Sequence, residues 1–388
     1  MSIPLKYNLR SVRRRWKTTA MTILAIGLVV AVFISILAMA NGLAQAFAAT
    51  GHPANVLLLR EGATAETNST VERADFTVAQ YLPGIATDAE GNALASLESL
   101  NLAIMNKQGG GSSNATVRGI NAYSLAVRGG VRVVEGRMPS PGLNELIVGN
   151  GAAARFESVK VGDRIKLVKS EWTIVGRFDA GRTAYASEFW GDADQLNREF
   201  DRTAFSSILL RAASERAADA LIESVETSQR LANLGARRET AYYAEQTKAS
   251  APLQFLGYMI SIIMAVGAVF AAMNAMYASV SARSWEIATL RVLGFTRGSV
   301  LLAFTLESLV IGAAGGIVGC VLAWPINGYS IGTTSFTTFS EIAFAFTITP
   351  KLMATGVLFA SVIGVVGGFL PALQASRIPI IDGLKRGS

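Results

Sequence analysis

Few residues in this 388-residue sequence are spaced for chemistry. His52 is the only histidine and Cys320 the only cysteine. Neither has a partner for a zinc site of the common His/Cys kind, and no intrachain disulfide can form. One cysteine leaves the redox compartment open. Nothing near His52 in sequence could orient it beside a nucleophile, so no catalytic triad is expected and nothing supports a carboxylate-based enzyme. The sequence lacks a Gly-x-x-x-x-Gly-Lys-Ser/Thr run, the loop whose backbone cradles nucleotide phosphates. Two features remain. Glu307 is a lone carboxylate inside an apolar run, where burial costs about 2.5–3.5 kcal/mol on insertion scales, so it must face protein or water and not lipid. It reads either as a hydrogen-bonded packing acid near the inner interface or as a relay or substrate contact. The other feature is the charged set Arg283, Glu286 and Arg291, which falls in a short break between apolar runs.

The elements that hold these residues follow from charge distribution. Half the residues, 51%, are apolar and 16% are charged, against roughly a quarter charged in soluble domains. The deficit is concentrated in four stretches, Thr18 to Ala40, Ala249 to Ala282, Gly298 to Ser340 and Leu352 to Ser376. About 20 apolar residues suffice to cross the hydrocarbon core as a helix. These stretches predict membrane helices over 18–42, 251–282, 298–325 and 351–376. The pieces between them are an amphipathic start (1–17), a large insert (43–250), a short charged loop (283–297), a second short loop (326–350) and a tail (377–388).

The net charge of +7 could suggest nucleic acid, but the basic residues flank the apolar runs. Lys6, Arg10, Arg13, Arg14, Arg15 and Lys17 precede the first, and Arg283, Arg291 and Arg297 separate the second from the third. Arg377, Lys385 and Arg386 follow the fourth. By the positive-inside rule both termini are cytoplasmic and the insert faces the other side, as expected of a multi-pass protein of a bacterial inner membrane. The start imitates a signal peptide, with small residues at Ala38-Met39-Ala40, yet its apolar run is too long and three more spans follow.

The insert reads as a folded α+β domain. Asn55 to Arg60 is a buried strand, Glu145 to Val148 a second, and Gly151 to Phe156 a small-residue helix. Asp163 to Val168 and Trp172 to Gly176 alternate around a polar turn, as hairpins do. Ser206 to Arg211 is a strand, and Ser214 to Leu231 a helix with Ala217, Leu221, Val225 and Leu231 on its apolar stripe. Gly109-Gly110-Gly111 is a loop tip. Residues 41–50 and 242–252 are expected to form paired helical stalks.

In the charged loop, Ile287, Leu290 and Leu293 recur on one helical face, with Glu286 and Arg291 off it, and Gly294 is placed as a helix stop. From periodicity alone this is a short amphipathic helix, which could be no more than a connector lying at the headgroups. The loop also resembles the permease signature of the MacB/FtsX superfamily of ABC transporters. The shared pattern is Arg283-x-x-Glu286-Ile287-x-x-Leu290-Arg291-x-Leu293-Gly294, then Arg297, then Glu307 heading a helix with Gly312, Gly315, Gly316 and Gly319. Pro371-Ala372, Ser376 to Ile380 and Gly383 to Arg386 resemble that family's tail. Val117 to Ile120, Glu135 to Arg137, Asn144 to Val148 and Val161 to Asp163 resemble its periplasmic core domain more loosely.

That resemblance implies a MacB-like (type VII ABC exporter) permease fold: four transmembrane helices with an inserted α+β extracytoplasmic domain. It assigns Arg283, Glu286, Ile287, Leu290, Arg291, Leu293 and Gly294 to a coupling helix that docks on a partner ATPase. The chain would carry no cofactor of its own, ATP-Mg being held by two ATPase copies. The first span begins soon after the first residue, so the ATPase is expected on a separate subunit. A second permease copy and a periplasmic adaptor complete the implied assembly. Gly312/Gly316 and Gly315/Gly319 form small-xxx-small pairs, expected to pack the third span on the fourth at Gly364 and Gly368 rather than to seam a dimer. Substrate would be expelled from the periplasm by mechanotransmission. Rival readings are a lipoprotein-extracting (LolCE-like) permease, an FtsX-like regulator of a cell-wall hydrolase and, from another class, a membrane-bound sensor or enzyme.

Overall fold

The computed structural model describes residues 16–248, 251–334 and 341–379. The basic residues from Lys6 to Arg15 and the tail from Ile380 to Ser388, both used above, lie outside the described residues. Among the described residues, four helices are long and apolar enough to cross a membrane: α1 (Trp16–Thr50), α8 (Ala251–Ala282), α10 (Arg297–Ala323) and α11 (Pro350–Arg377). The chain is a membrane protein of four such helices carrying an inserted α+β domain. Helix α1 continues past the expected end at residue 42. The stretch from Leu43 is not broken by proline and is rich in alanine, the best helix former, so the helix stops only before Gly51. Thr296 caps α10 by accepting from the Ser299 N–H, and Thr349 caps α11 by accepting from the Leu352 N–H with Pro350 just inside.

The chain divides into two compact units. The helical unit comprises residues through Asn41, Pro252–Tyr329 and Phe346 onward. Its core joins Ile26, Val30 and Ile34 of α1 to Ala272 and Met276 of α8, Phe304 and Ile311 of α10, and Ala360 and Ile363 of α11. Glycines set the spacing. A Cβ on Gly312 would lie 2.6 Å from the Ala360 carbonyl oxygen, and one on Gly364 would collide with that of Ser308. Gly316 meets Val357, and Gly368 meets Ser308. These four bring α10 and α11 into backbone contact. Gly315 and Gly319 differ from the expected pairing: they face Ile26 and Val30 of α1. A row four residues apart and its neighbour, offset by three, point about 60° apart on a helix of 3.6 residues per turn, so they serve two partners.

The inserted unit comprises Gly42–Ala251 and Ser330–Ala345. Its elements in order are β1 (Asn55–Arg60), α2 (Arg73–Ala79), β2 (Ala95–Asn106), β3 (Ser112–Ile120), α3 (Ser124–Arg128), β4 (Arg132–Gly136), β5 (Glu145–Gly149) and α4 (Asn150–Ala153). There follow β6 (Arg164–Lys166), β7 (Glu171–Asp179), β8 (Glu188–Asp192), α5 (Ala193–Glu199), β9 (Ser207–Arg211), α6 (Glu215–Glu226), β10 (Leu234–Arg238) and α7 (Glu239–Lys248). One sheet runs β10-β1-β9-β2-β3-β8-β5-β7-β4, with β6 paired to β7. The β3–β8 and β5–β7 pairs are parallel and the rest antiparallel. β1 is buried along five of its six residues, as its unbroken Val-Leu-Leu-Leu run requires. One apolar cluster joins Val56, Leu97 and Ile208 to Leu221 and Val225 of α6; a second centres on Leu146, Trp172, Ile174 and Phe189.

Three expectations shift. The helix from Ser214 stops at Glu226, where Thr227 caps it, and Gln229–Leu231 is a 3-10 turn. The Gly151 to Phe156 helix is the shorter α4. The 326–350 segment is no plain loop: it holds β11 (Ser330–Thr334) and β12 (Glu341–Ala345), paired from Ser330↔Ala345 to Thr334↔Glu341. Its β-branched and aromatic residues favour strand, and the hairpin belongs to the inserted unit. The stalks do pair: Phe47 of α1 stacks on Tyr243 of α7 at 6.2 Å.

Candidate coupling site

The charged break between the second and third spans folds as α9 (Ser284–Val292). Gly294, at φ +93°, ends it. Phe295 N–H donates to the Leu290 carbonyl and Gly294 N–H to that of Arg291, the paired bonds of a Schellman stop. The helix is fastened from its inner side. Ile287 is buried in the helical core. Arg283 Nη1 donates to Glu307 Oε2 at 2.9 Å, with both side chains 5% exposed, and Arg283 Nε donates to Glu286 Oε2 at 3.3 Å. The Arg283 guanidinium also lies 5.0 Å from the Phe304 ring centroid. Arg291 Nη1 donates to the Ser376 carbonyl of α11 at 3.1 Å.

The expected face therefore splits. Ile287 and Arg283 turn inward, Leu290 is half-buried, and Leu293 is exposed at 67%. Trp285, at 51%, and Val292, at 59%, are exposed beside it. A large aromatic and two aliphatic side chains on a short, anchored helix form a surface that can dock on a protein partner. Periodicity overlooked Trp285. An aromatic next to the acid that starts the pattern was the available signal. Glu307 is paired with Arg283. It also lines a cavity with Thr22, Met276, Ser279, Ser308 and Ile311.

Sequence reading missed a second charged site, in the inserted unit. Arg118 of β3 is 2% exposed and directs all five guanidinium donors at carboxylates. Nε reaches Glu188 Oε2 at 2.7 Å, Nη1 reaches Glu66 Oε1 and Glu98 Oε2 at 2.8 and 2.9 Å, and Nη2 reaches Glu188 Oε1 and Glu66 Oε2. Arg128 of α3 grips Glu98 with both Nη groups and lies over the Tyr185 and Trp190 rings. Ser207 Oγ donates to Glu66 and Trp190 Nε1 to Glu188. Beside this set, Glu239 of α7 accepts from the His52 N–H, Asn55 Nδ2 and the Tyr185 hydroxyl.

The two acids at its ends titrate in opposite senses. Burial would raise Glu98, but Arg128 and Arg118 hold it at about 2. Burial raises Glu239 above the usual carboxylate value, outweighing Arg128 and its hydrogen bonds. The stabilisation due to Glu98 is present above its unfolded pKa and lost as pH falls toward 2. That due to Glu239 is present below the usual carboxylate value and lost as pH rises through its raised one. Melting curves taken upward from the usual carboxylate value should show the second loss, and Glu239→Gln should flatten it. An unchanged slope would refute this assignment.

Comparison with known proteins bears on both units. Residues 258–380 match the FtsX-like permease C-terminal family and residues 19–228 the MacB-like periplasmic core domain. The ABC transporter permease YknZ of Bacillus subtilis (strain 168) is 29% identical over 209 residues, 51% of this chain and 49% of that protein. The macrolide export ATP-binding/permease protein MacB of Hahella chejuensis is 25% identical over 239 residues, 59% of this chain and 36% of that one. The chain thus spans half or less of the length of these relatives. The periplasmic region of MacB from Actinobacillus actinomycetemcomitans superposes with a TM-score of 0.38 at 11% identity, covering 50% of this chain and 92% of that one.

Proposed function

Because the chain belongs to the MacB/FtsX-type family of ABC transporter permeases, we propose that it couples ATP hydrolysis on a partner ATPase to a conformational change of the inserted domain that exports a substrate. Its matched domains are of permease type, which supports hydrolysis on a partner, and the family implies an ABC ATPase as that partner. The observation that carries the reading is α9. Its outer side offers Trp285, Val292 and Leu293, while its inner side is fastened to α10 by Arg283–Glu307 and to α11 by Arg291–Ser376. A push on such a helix reaches the spans because the helix has little freedom to tilt on its own.

In this reading α9 is the cytoplasmic coupling helix in a bacterial inner membrane, with both termini on its side and the inserted domain in the periplasm. Two permease copies act with two ATPase copies that hold ATP-Mg, and a periplasmic adaptor receives the substrate. Replacing Trp285 and Leu293 together with Asp buries two charges in the docking surface and should reduce co-purification of the cognate ATPase at least tenfold. The melting temperature of the permease should stay the same, since both side chains are exposed. Undiminished co-purification with full ATP hydrolysis would refute the coupling role.

A further inference from the structure

The hairpin β11–β12 is the one part of the inserted unit that reaches it from between the third and fourth spans. Within that unit it is closely seated. Ala343 N–H donates to Ser187 Oγ at 2.7 Å, and Ser187 is buried. A Cβ on Gly42 of α1 would collide with the Ala345 carbonyl oxygen and lie 3.0 Å from the Phe344 ring. One on Gly151 of α4 would lie 3.4 Å from Ala343 Cβ, and one on Gly332 would overlap the Arg155 guanidinium. The absence of a side chain at Gly42 is what lets the α1 and β12 backbones meet, and its absence at Gly332 leaves room for Arg155. Phe344 itself is buried.

The seat is bonded to the stalk and to the buried charges. Ser187 closes the 3-10 turn Ala184–Ser187. In that turn Ala184 N–H donates to Thr50 Oγ1 of α1, and Tyr185 bonds Glu239 and lies over Arg128. A segment serving only to join two spans would gain nothing by ordering, which costs conformational entropy. A flexible tether would transmit no force.

We propose that the β11–β12 hairpin is a strut: it stays docked on α1, α4 and the Ala184–Ser187 turn and passes the motion of α10 and α11 into the inserted domain. This makes it a third point of entry for force besides α1 and the α7–α8 connection. The proposal rests on the transporter reading above.

The test uses the full chain with its ATPase in lipid nanodiscs, in a Cys320→Ser background. Nitroxide labels on Ile104→Cys and Leu322→Cys, both exposed, report the interspin distance with and without vanadate-trapped nucleotide. Replacing residues 330–345 with a Gly/Ser tract of equal length should cut the nucleotide-dependent shift to less than half. Basal ATP hydrolysis should stay within about twofold. In the unlabelled background, Ser187→Cys with Ala343→Cys joins the hairpin to its seat where Ser187 Oγ lies 2.7 Å from the Ala343 nitrogen, within reach of a disulfide. Closing that bond should leave ATP hydrolysis unchanged. A full shift after replacement overturns the strut, and so does loss of activity on cross-linking. If the replacement chain does not fold, the cross-link decides. An intact chain whose distance ignores nucleotide overturns the transporter reading, and the strut with it.

Discussion

Replacing Arg118 with Met should destabilise the inserted domain by about 3–5 kcal/mol, because removing one partner of a buried ion pair leaves uncompensated charge. For a domain of this size that is a fall in melting temperature of about 6–20 °C. Emission from the buried Trp172 and Trp190 reports the transition. The expected loss is large because Arg118 serves three acids at once. Without it Glu66 and Glu188 lose their guanidinium partner, and only Glu98 keeps one, in Arg128. Lysine should rescue little: its three donors on a flexible stem cannot replace five in a planar fork. The balance of charge also explains Glu239. With three carboxylates facing two guanidinium groups, a fourth buried acid is better kept protonated, the direction in which burial moves it. A melting temperature within about 2 °C of the unchanged chain would show that the site is wet and the charges screened.

The sequence made some of this legible and hid the rest for physical reasons. The strand Asn55–Arg60 and the β6–β7 hairpin were readable because local pattern decides them: an apolar run in one case, alternation about a polar turn in the other. The four spans were readable because length and absence of charge suffice. Arg118 was not, since its partners Glu66, Glu98 and Glu188 lie 52, 20 and 70 residues away, and no periodicity records such a convergence. The remaining signal was faint: single charges inside otherwise uncharged strands, as in Leu97-Glu98-Ser99 and Val117-Arg118-Gly119. At α9 the pattern located a helix and its stop but not its orientation. A short helix with apolar residues on two sides can bury either one. Here Ile287 is held by the core and by Arg283 beneath it, so Trp285 and Leu293 are left outward. The hairpin β11–β12 was lost for another reason: two five-residue strands between membrane spans resemble a connecting loop until their docking site is known.

The Arg283–Glu307 pair allows a sharper test of how α9 is held. Glu307→Leu removes a carboxylate 2.9 Å from a buried guanidinium, leaving Arg283 with Glu286 at 3.3 Å, a side chain that is 39% exposed. Breaking such a pair from one side costs about 3–5 kcal/mol, whereas replacing both partners with apolar groups is often neutral or stabilising. Glu307→Leu alone should therefore lower the melting temperature of the detergent-solubilised chain by several degrees, and Arg283→Met with Glu307→Leu should recover most of it. Function should divide differently. The double variant keeps Ile287 in the core and the Arg291 bond to Ser376 but loses the ionic tie between α9 and α10. Stability should return while the stimulation of ATP hydrolysis by the assembled permease remains below that of the unchanged chain. If stability and stimulation recover together, the pair is a packing device alone. If neither single nor double replacement changes the melting temperature, the carboxylate is solvated and does not hold α9. The expected pattern, restored folding with impaired coupling, would assign the pair to force transfer between α9 and α10.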